Sequence, residues 1–330
     1  MRLNRFYVQP SCTPTRAALM TGKSPVRMGI FNPLSKNNPT GLPLVERTLA
    51  DHLKSAGYET ALVGKWHLGA RDRRYHPNSR GFDHFYGHLT GGVGYWDKVH
   101  GGGYDWQRNG KTVRDARYAT HLIADEAIER IKQRDPEKPL FLYAAFAAPH
   151  LPNEAPEHAL DEYQSIANDN RRAHAAMVSE LDRSISRVHA AIIEAGIEEN
   201  TLLWFMSDNG GLIAKNPARF LPEPLFSMAL ERTLGVETSP IFSEFALANL
   251  RDGGSDNGPF RGGKTSPDEG GVRVPAFVYW PGVFDSGAYD YMATVQDVLP
   301  TLLEISGVAV DEEGLDGRSL WTPVHTSTPA

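Results

Sequence analysis

The sequence has almost no cysteine, since its 330 residues contain only Cys12. A single cysteine excludes an internal disulfide framework, so cysteine pairing gives no indication of the redox compartment. No apolar run is long enough to cross a bilayer. A net charge of −6 offers no basic surface to nucleic acid. Within these 330 residues, the absences exclude an internal disulfide scaffold and a membrane span and argue against nucleic-acid binding.

Regular secondary structure is indicated over most of the chain. Hydrophobic residues make up 41% of the sequence, enough for a sizeable core. Periodicity predicts helices over 44–56, 118–134, 170–195 and 297–306. Apolar runs predict strands over 60–64, 139–146, 201–206 and 274–280. Because strands and helices alternate, we predict an α/β fold with a mostly parallel central sheet and helices on both faces.

One segment breaks this alternation. Residues 212–257 are rich in proline and glycine and do not show the pattern of a sheet element. A long irregular stretch inside a compact domain is typical of an insertion or a lid. We therefore treat 1–330 as one domain, with 212–257 as the predicted insertion or lid.

The surroundings of Cys12 suggest chemistry. A lone cysteine is more often a small buried hydrophobe than a reactive group. Here Pro14 stiffens the backbone, and Arg16 supplies a permanent cation that can lower a thiol pKa or bind an anion. Residues 17–20 look like the first turns of a helix, whose N-terminus attracts anions. Together these features predict an oxyanion site.

Polar residues follow three of the predicted strands directly. They are Lys65 and His67, then His150, then Asp208 and Asn209. Taken singly, each has an ordinary structural explanation, such as a solvated strand end, a surface imidazole or an Asx turn. Ligands of open α/β sheets bind at the carboxyl ends of strands, so we expect these groups to converge beside Cys12.

The motifs themselves resemble those of the type I sulfatases, and most closely the arylsulfatase B-like branch. The string CTPTRAALMTG at 12–22 matches the C-x-P-x-R signature, and GYETALVGKWHLG at 57–69 matches the second signature. The blocks APH at 148–150, SDNG at 207–210 and RGGK at 261–264 follow in the order of the family. The resemblance covers nearly the whole chain and implies the alkaline phosphatase-like fold.

The resemblance also implies roles for individual residues. Cys12 would be oxidised by a formylglycine-generating enzyme to formylglycine, whose hydrate is the nucleophile. Arg16 would hold and polarise that hydrate. Lys65 and Lys264 would neutralise the sulfate oxygens.

Two histidines and a metal complete the implied site. His150 would lie near the leaving-group oxygen, and His67 would assist the elimination that releases sulfate. Asp208 and Asn209 would be ligands of a calcium ion. Calcium takes six to eight oxygen ligands, so these two residues supply only part of a site.

The chain departs from the family pattern at both ends. Family members carry an Asp-Asp pair upstream of the modified cysteine, whereas residues 1–11 contain no acidic residue. Residues 1–8 also lack the apolar core of an export signal, although family members are often exported. We expect the first strand and the C-terminal subdomain to be missing from this chain. Either the sequence is a fragment, or it is a short homologue that has lost metal binding.

Three functions remain open at this point. The first is hydrolysis of an aryl or carbohydrate sulfate. The second is hydrolysis of a phosphonate monoester or phosphodiester by the same formylglycine, because both reactions act on a tetrahedral anion. The third is a catalytically inactive homologue, which the missing Asp pair suggests. Glycine-aromatic loops at 91–96 and 101–106 are either plain surface loops or the lining of a sugar or aryl pocket.

Overall fold

A computed structural model describes residues 1–100, 103–213, 254–309 and 314–321. The strands are β1 (Arg2–Leu3), β2 (Phe6–Tyr7), β3 (Glu59–Lys65), β4 (His84–His88), β5 (Val99–His100), β6 (Gly103–Tyr104), β7 (Gln107–Arg108), β8 (Lys111–Thr112), β9 (Leu140–Ala145), β10 (Leu203–Met206), β11 (Arg273–Val274), β12 (Ala276–Tyr279), β13 (Ala288–Tyr289) and β14 (Ala293–Thr294). The α-helices are α1 (Cys12–Thr21), α2 (Leu49–Ser55), α3 (Ala119–Gln133), α4 (Glu157–Asp161), α5 (Asp169–Glu194), α6 (Glu269–Val272) and α7 (Val298–Ile305).

The largest sheet has five strands in the order β8-β7-β4-β3-β9. Its centre is parallel, since Leu62 of β3 pairs with Phe85 of β4 on one side and Tyr143 of β9 on the other. The strands β7 and β8 extend it in antiparallel fashion. The predicted α/β class is confirmed, and helix α3 makes the crossover that joins parallel strands.

Both faces of this sheet are covered. Leu62 and Phe85 lie in the apolar cluster that includes helix α1. The next residues along the strands, Val63 and Tyr86, lie in the cluster that includes helix α3. Successive side chains of a strand point to opposite faces, so the alternation shows helices on each side. The sequence missed β4 altogether, because a strand reading His-Phe-Tyr-Gly-His within a glycine-rich stretch shows no apolar run.

Three smaller sheets accompany the first within the described residues. One has the order β10-β12-β1-β13, the second has the order β11-β2-β14, and the third is the pair β5-β6. The predicted strand over 274–280 is broken at Pro275, so that β11 pairs with β2 while β12 pairs with β10 and β1. Proline has no N–H to give to a ladder, which explains the break.

Strands β9 and β10 have one paired edge each within the described residues. Their apolar runs are typical of buried strands, but most of their residues are half-buried. Within the described residues each of the two strands lacks a neighbour on one side, which leaves that side more open. The carboxyl ends of the two strands nevertheless lie close together, since Arg16 contacts Tyr143 of β9 and Asp208, two residues after β10.

The segment predicted as an insertion lies largely outside the described residues, which stop at 213 and resume at 254. Its flanks meet, since Gly211 donates its N–H to Asn257 Oδ1 at 2.8 Å and accepts from Asn257 Nδ2 at 2.8 Å. The insertion or lid therefore stays a prediction. No helix in the described ranges combines the length and the apolar composition that a bilayer crossing requires.

Candidate active site

Cys12 is the first residue of helix α1 and is 2% exposed. The sequence placed the start of this helix near Ala17, which was wrong by a turn. Pro14 reads as a turn residue, but proline is tolerated in the first turn of a helix because its missing N–H would have no partner there. Cys12 therefore lies at the positive end of a helix whose residues are all buried.

Arg16 lies one turn further along α1 and is 4% exposed. Its guanidinium donates to Asp208 Oδ2 from Nε at 3.1 Å and from Nη2 at 2.9 Å. Nη1 donates to the carbonyl of Lys65 at 2.7 Å and to the hydroxyl of Tyr143 at 3.2 Å. One side chain thus joins the helix to the ends of β3, β9 and β10.

Lys65 is the last residue of β3 and is 2% exposed. Its Nζ atom lies 4.0 Å from Asp208 Oδ2. Burial lowers the pKa of Lys65 to about 8, although the charges of Cys12 and Asp208 act in the opposite direction. The Lys65 ammonium group is therefore still protonated at neutral pH and can bind an anion there.

His67 follows two residues later, with a left-handed backbone at φ 60°. Its ring Nε2 lies 2.9 Å from the carbonyl oxygen of Leu34. Its Nδ1 is buried and has no hydrogen-bond partner among the described residues. A carbonyl can only accept, so Nε2 carries the hydrogen and Nδ1 presents a lone pair.

His150 and Lys264 are carried by two loops, one after β9 and one before α6. The Nδ1 of His150 lies 2.8 Å from the carbonyl oxygen of Leu151, which fixes the hydrogen on that nitrogen. Burial and the charges of Lys264 and Lys65 hold the pKa of His150 well below its usual range. Lys264 is 6% exposed, and the loop that carries it is tied to Pro10 by the Thr265 N–H at 2.7 Å.

These groups act together on Cys12. Burial alone would raise the pKa of the thiol, but the neighbouring positive charges, with Lys65 the strongest, outweigh it and hold that pKa well below its ordinary value. Burial likewise opposes ionisation of Asp208, and Arg16, Lys65 and Lys264 lower its pKa strongly. The structure brings the sequence-predicted residues Cys12, Arg16, Lys65, His67, His150, Asp208 and Lys264 into one electrostatically linked group. Cations outnumber carboxylates in it, so it suits a small anion.

Asp208 and Asn209 were predicted as calcium ligands. Asp208 Oδ2 is already engaged by Arg16, whereas Asn209 Oδ1 is a buried oxygen with no partner among the described residues. No group of three or more acidic, histidine or cysteine side chains with metal-binding geometry occurs in the described ranges. Two oxygen donors fall short of the six to eight that calcium takes, so the described residues do not complete a calcium site.

Sequence reasoning missed two residues of the site. Tyr143 supplies a hydroxyl to Arg16, and Thr13 bonds to the backbone of His67. The sign of Tyr143 in the sequence is its hydroxyl group, which is the one polar side-chain group in the otherwise apolar predicted strand over 139–146. In the described part of the aromatic loops, Tyr95 and Trp106 are 1% exposed and belong to the core, while Trp96 is 43% exposed. The lining of a sugar or aryl pocket stays a prediction.

Comparison with known proteins gives a consistent result. The sequence profile of the Sulfatase family matches residues 1–308. Arylsulfatase J of Mus musculus is 33% identical over 335 residues, covering 98% of this chain and 50% of the relative. Human N-acetylgalactosamine-6-sulfatase is 29% identical, covering 96% of this chain and 57% of the relative. The chain thus spans about half the length of these curated relatives.

Solved structures agree with the sequence comparison. The crystal structure of Ps i-CgsB superposes with a TM-score of 0.82 at 29% identity, covering 98% of this chain and 68% of that one. A complex of the same protein with k-i-k-neocarrahexaose superposes with a TM-score of 0.81 at 28% identity, covering 97% of this chain and 67% of that one.

Proposed function

The chain belongs to the sulfatase family, and on that premise we propose that it hydrolyses sulfate esters through a formylglycine made from Cys12. The observation that carries the proposal is the buried cluster beside Cys12, in which Arg16, one turn along the same helix, bonds to Asp208 and to the carbonyl of Lys65. In the structure the thiol sulfur stands where one oxygen of the hydrated aldehyde would lie. A partner enzyme of the formylglycine-generating class is required to make that aldehyde.

In the first step, one hydroxyl of the hydrate attacks sulfur and loses its proton, while the bond from sulfur to the alcohol oxygen breaks and that oxygen takes up a proton and leaves as the alcohol. Arg16 lies one helical turn from Cys12 and would orient the hydrate. Lys65 and Lys264 would neutralise the non-bridging oxygens, where charge persists through the transition state. A sulfated enzyme intermediate divides one difficult displacement into two easier steps.

In the second step, His67 Nδ1 removes the proton of the remaining hydroxyl. The carbonyl re-forms and the bond from carbon to the sulfate oxygen breaks. The proposed role of His67 depends on the lone pair at Nδ1, which is supported by the contact of Nε2 with Leu34.

The natural substrate is proposed to be a carbohydrate sulfate, with aryl sulfates as chromogenic substitutes. Two similar proteins support this class: one is named for a sulfated N-acetylgalactosamine, and the other is seen with a neocarrahexaose. A calcium ion is proposed with Asp208 and Asn209 among its ligands, supported by the partnerless oxygen of Asn209.

The test of this function is a pair of hydrolysis assays on the chain co-expressed with a formylglycine-generating enzyme. We expect p-nitrophenyl sulfate to be hydrolysed faster than a phosphodiester analogue. Faster turnover of the phosphodiester would favour the alternative hydrolase. No turnover of either ester by fully converted protein would favour an inactive homologue.

Lys65 should impose an alkaline limit on activity. Its pKa of about 8 means that the ammonium is lost above that pH, so kcat/KM should fall there by about tenfold per pH unit. Conversion of Cys12 to formylglycine removes the negative charge that raises the pKa of Lys65. In the converted enzyme the alkaline limit of activity should therefore lie no higher than about pH 8. Lys65→Arg should move the limit upward because guanidinium stays protonated. An unmoved limit in pH–rate profiles would contradict the assignment.

The free energy of unfolding should rise with pH between about 8 and 10.5, where the activity is expected to fall. The folded pKa of Lys65 lies below its ordinary value of 10.5. Between those values the unfolded state binds more protons, so this group makes the free energy of unfolding rise with pH. Urea unfolding of the native chain and of Lys65→Met at several pH values measures how much Lys65 contributes to this pH dependence of the free energy of unfolding.

His150 should take up a proton when an anion binds. The free imidazole is neutral because burial and two lysines lower its pKa, whereas a bound sulfate favours the charged form. Calorimetry of sulfate binding in buffers of different ionisation enthalpy should show uptake near pH 7. His150→Asn should lose it, and unchanged uptake in that variant would assign the proton elsewhere.

A further inference from the structure

Thr13 lies beside Cys12 and is fully buried, with 0% exposure. Its Oγ1 donates to the carbonyl oxygen of His67 at 3.1 Å and accepts the N–H of Leu34 at 3.1 Å. The carbonyl of Leu34 in turn accepts from His67 Nε2 at 2.9 Å. The three hydrogen bonds form a closed circuit that passes through the backbone and the ring of His67.

This circuit determines how the ring of His67 is presented. Leu34 fixes the hydrogen on Nε2, which leaves Nδ1 unprotonated and without a partner among the described residues. Gly91 closes the ring in, since a Cβ there would lie 2.4 Å from His67 Cε1 and 2.6 Å from Nε2. The backbone of His67 has a left-handed φ of 60°, which a residue with a side chain seldom adopts without support. Thr13 provides that support at the carbonyl of the same residue.

We propose that Thr13 is a positioning residue for the sulfate-release step, acting through Leu34 and His67. The inference rests on the proposed function for its chemistry. In that step Nδ1 accepts the proton of the free hydroxyl on the carbon derived from Cys12. The electron pair of the O–H bond forms the C=O bond, and sulfate leaves with the electrons of the broken C–O bond. The proton on His67 then passes to solvent.

The hydroxyl of Thr13 is the essential feature. Valine has nearly the same shape but would leave the Leu34 N–H and the His67 carbonyl without their bonds. Buried polar groups without partners are costly, so the loop at Leu34 is expected to shift and the ring to lose its fixed acceptor. A displacement of about 1 Å in a catalytic group can cost on the order of 100-fold in rate. Serine keeps the hydroxyl and should keep the circuit.

The experiment compares Thr13→Val and Thr13→Ser with Thr21→Val in the full chain. Thr21 is a matched control, being 2% exposed on the same helix with its hydroxyl bonded to Ala17 at 2.7 Å. Conversion of Cys12 is measured by mass spectrometry, and rates are expressed per formylglycine. Rapid mixing with p-nitrophenyl sulfate separates the first release of nitrophenol from steady-state turnover.

We expect Thr13→Val to retain the initial burst of nitrophenol and to slow steady-state turnover by about 10- to 100-fold. Thr13→Ser and Thr21→Val should stay close to the native rate. Equal slowing of burst and steady state, or the same loss in Thr21→Val, would overturn the proposal.

A second measurement does not depend on turnover. Nitrogen-15 shifts of the His67 ring in the unconverted native chain should show hydrogen on Nε2 only, and Thr13→Ser should match it. Thr13→Val should show a mixture of tautomers. A native ring with hydrogen on Nδ1 would overturn the inference even if sulfatase activity is present. Inactivity of the converted native enzyme with the expected tautomer would instead count against the proposed function alone.

Discussion

Replacing Cys12 with alanine is expected to lower turnover of a sulfate ester by at least about 10⁴-fold, which is the scale of loss when a covalent nucleophile is removed. Alanine cannot become an aldehyde, so neither the attacking hydroxyl nor the sulfated intermediate can form. Steady-state hydrolysis of p-nitrophenyl sulfate by co-expressed native and variant chains measures the effect. Cys12→Ser should behave in the same way unless the maturing enzyme also accepts serine.

The Cys12→Ala variant should nevertheless still bind sulfate. Arg16, Lys65 and Lys264 remain in place, and the alanine side chain removes only the nucleophile. Inorganic sulfate should therefore raise the melting temperature of the variant as it does that of the native chain. Retention of more than a few per cent of the native turnover would contradict a nucleophile at this position.

Replacing Arg16 with methionine is expected to cause the largest loss of stability of any single change in the site. Arg16 donates to Asp208, to the carbonyl of Lys65 and to Tyr143. Removing one partner of a buried ion pair costs about 3–5 kcal/mol. We expect the lower end, about 3 kcal/mol, because 27% of the Asp208 side chain is exposed. Urea unfolding measures the change in the free energy of unfolding.

Two further variants make this result specific. Arg74 forms an exposed ion pair with Asp72 at 2.7 Å, and Arg74→Met should have little effect on stability. Asp208→Asn in the Arg16→Met background should recover part of the loss, because it removes a carboxylate that has lost both of its hydrogen bonds from Arg16. If Arg74→Met and Arg16→Met had equal effects, Arg16 would not be the link between the helix and the strands.

Periodicity and apolar runs were enough to predict much of the fold. Helices α3 and α5 and strands β3 and β9 lie within a residue or two of the predicted ranges. The boundaries of other helices depend on local side-chain chemistry that periodicity does not reveal. The predicted helix over 44–56 begins only at Leu49, where Thr48 and Asp51 form a capping box. Helix α1 was placed too late because Cys-Thr-Pro-Thr has the composition of a turn.

The candidate site was predictable only in part. Polar residues at strand ends predicted the neighbourhood of Cys12, because carboxyl ends of strands meet at one edge of a sheet. The contacts that determine the properties of the site join residues that are far apart in the sequence. The carbonyl of Leu34 reaches His67 from a loop 33 residues away, and no residue type marks a backbone oxygen in advance.

The central claim is that the thiol of Cys12 is the precursor of an aldehyde inside an anion site. The most direct test is mass spectrometry of the Cys12 peptide after co-expression with a formylglycine-generating enzyme. The account predicts a peptide that reacts with a carbonyl-specific hydrazide and no longer with iodoacetamide. A fully alkylated thiol, under conditions in which the same enzyme converts a reference peptide, would contradict it.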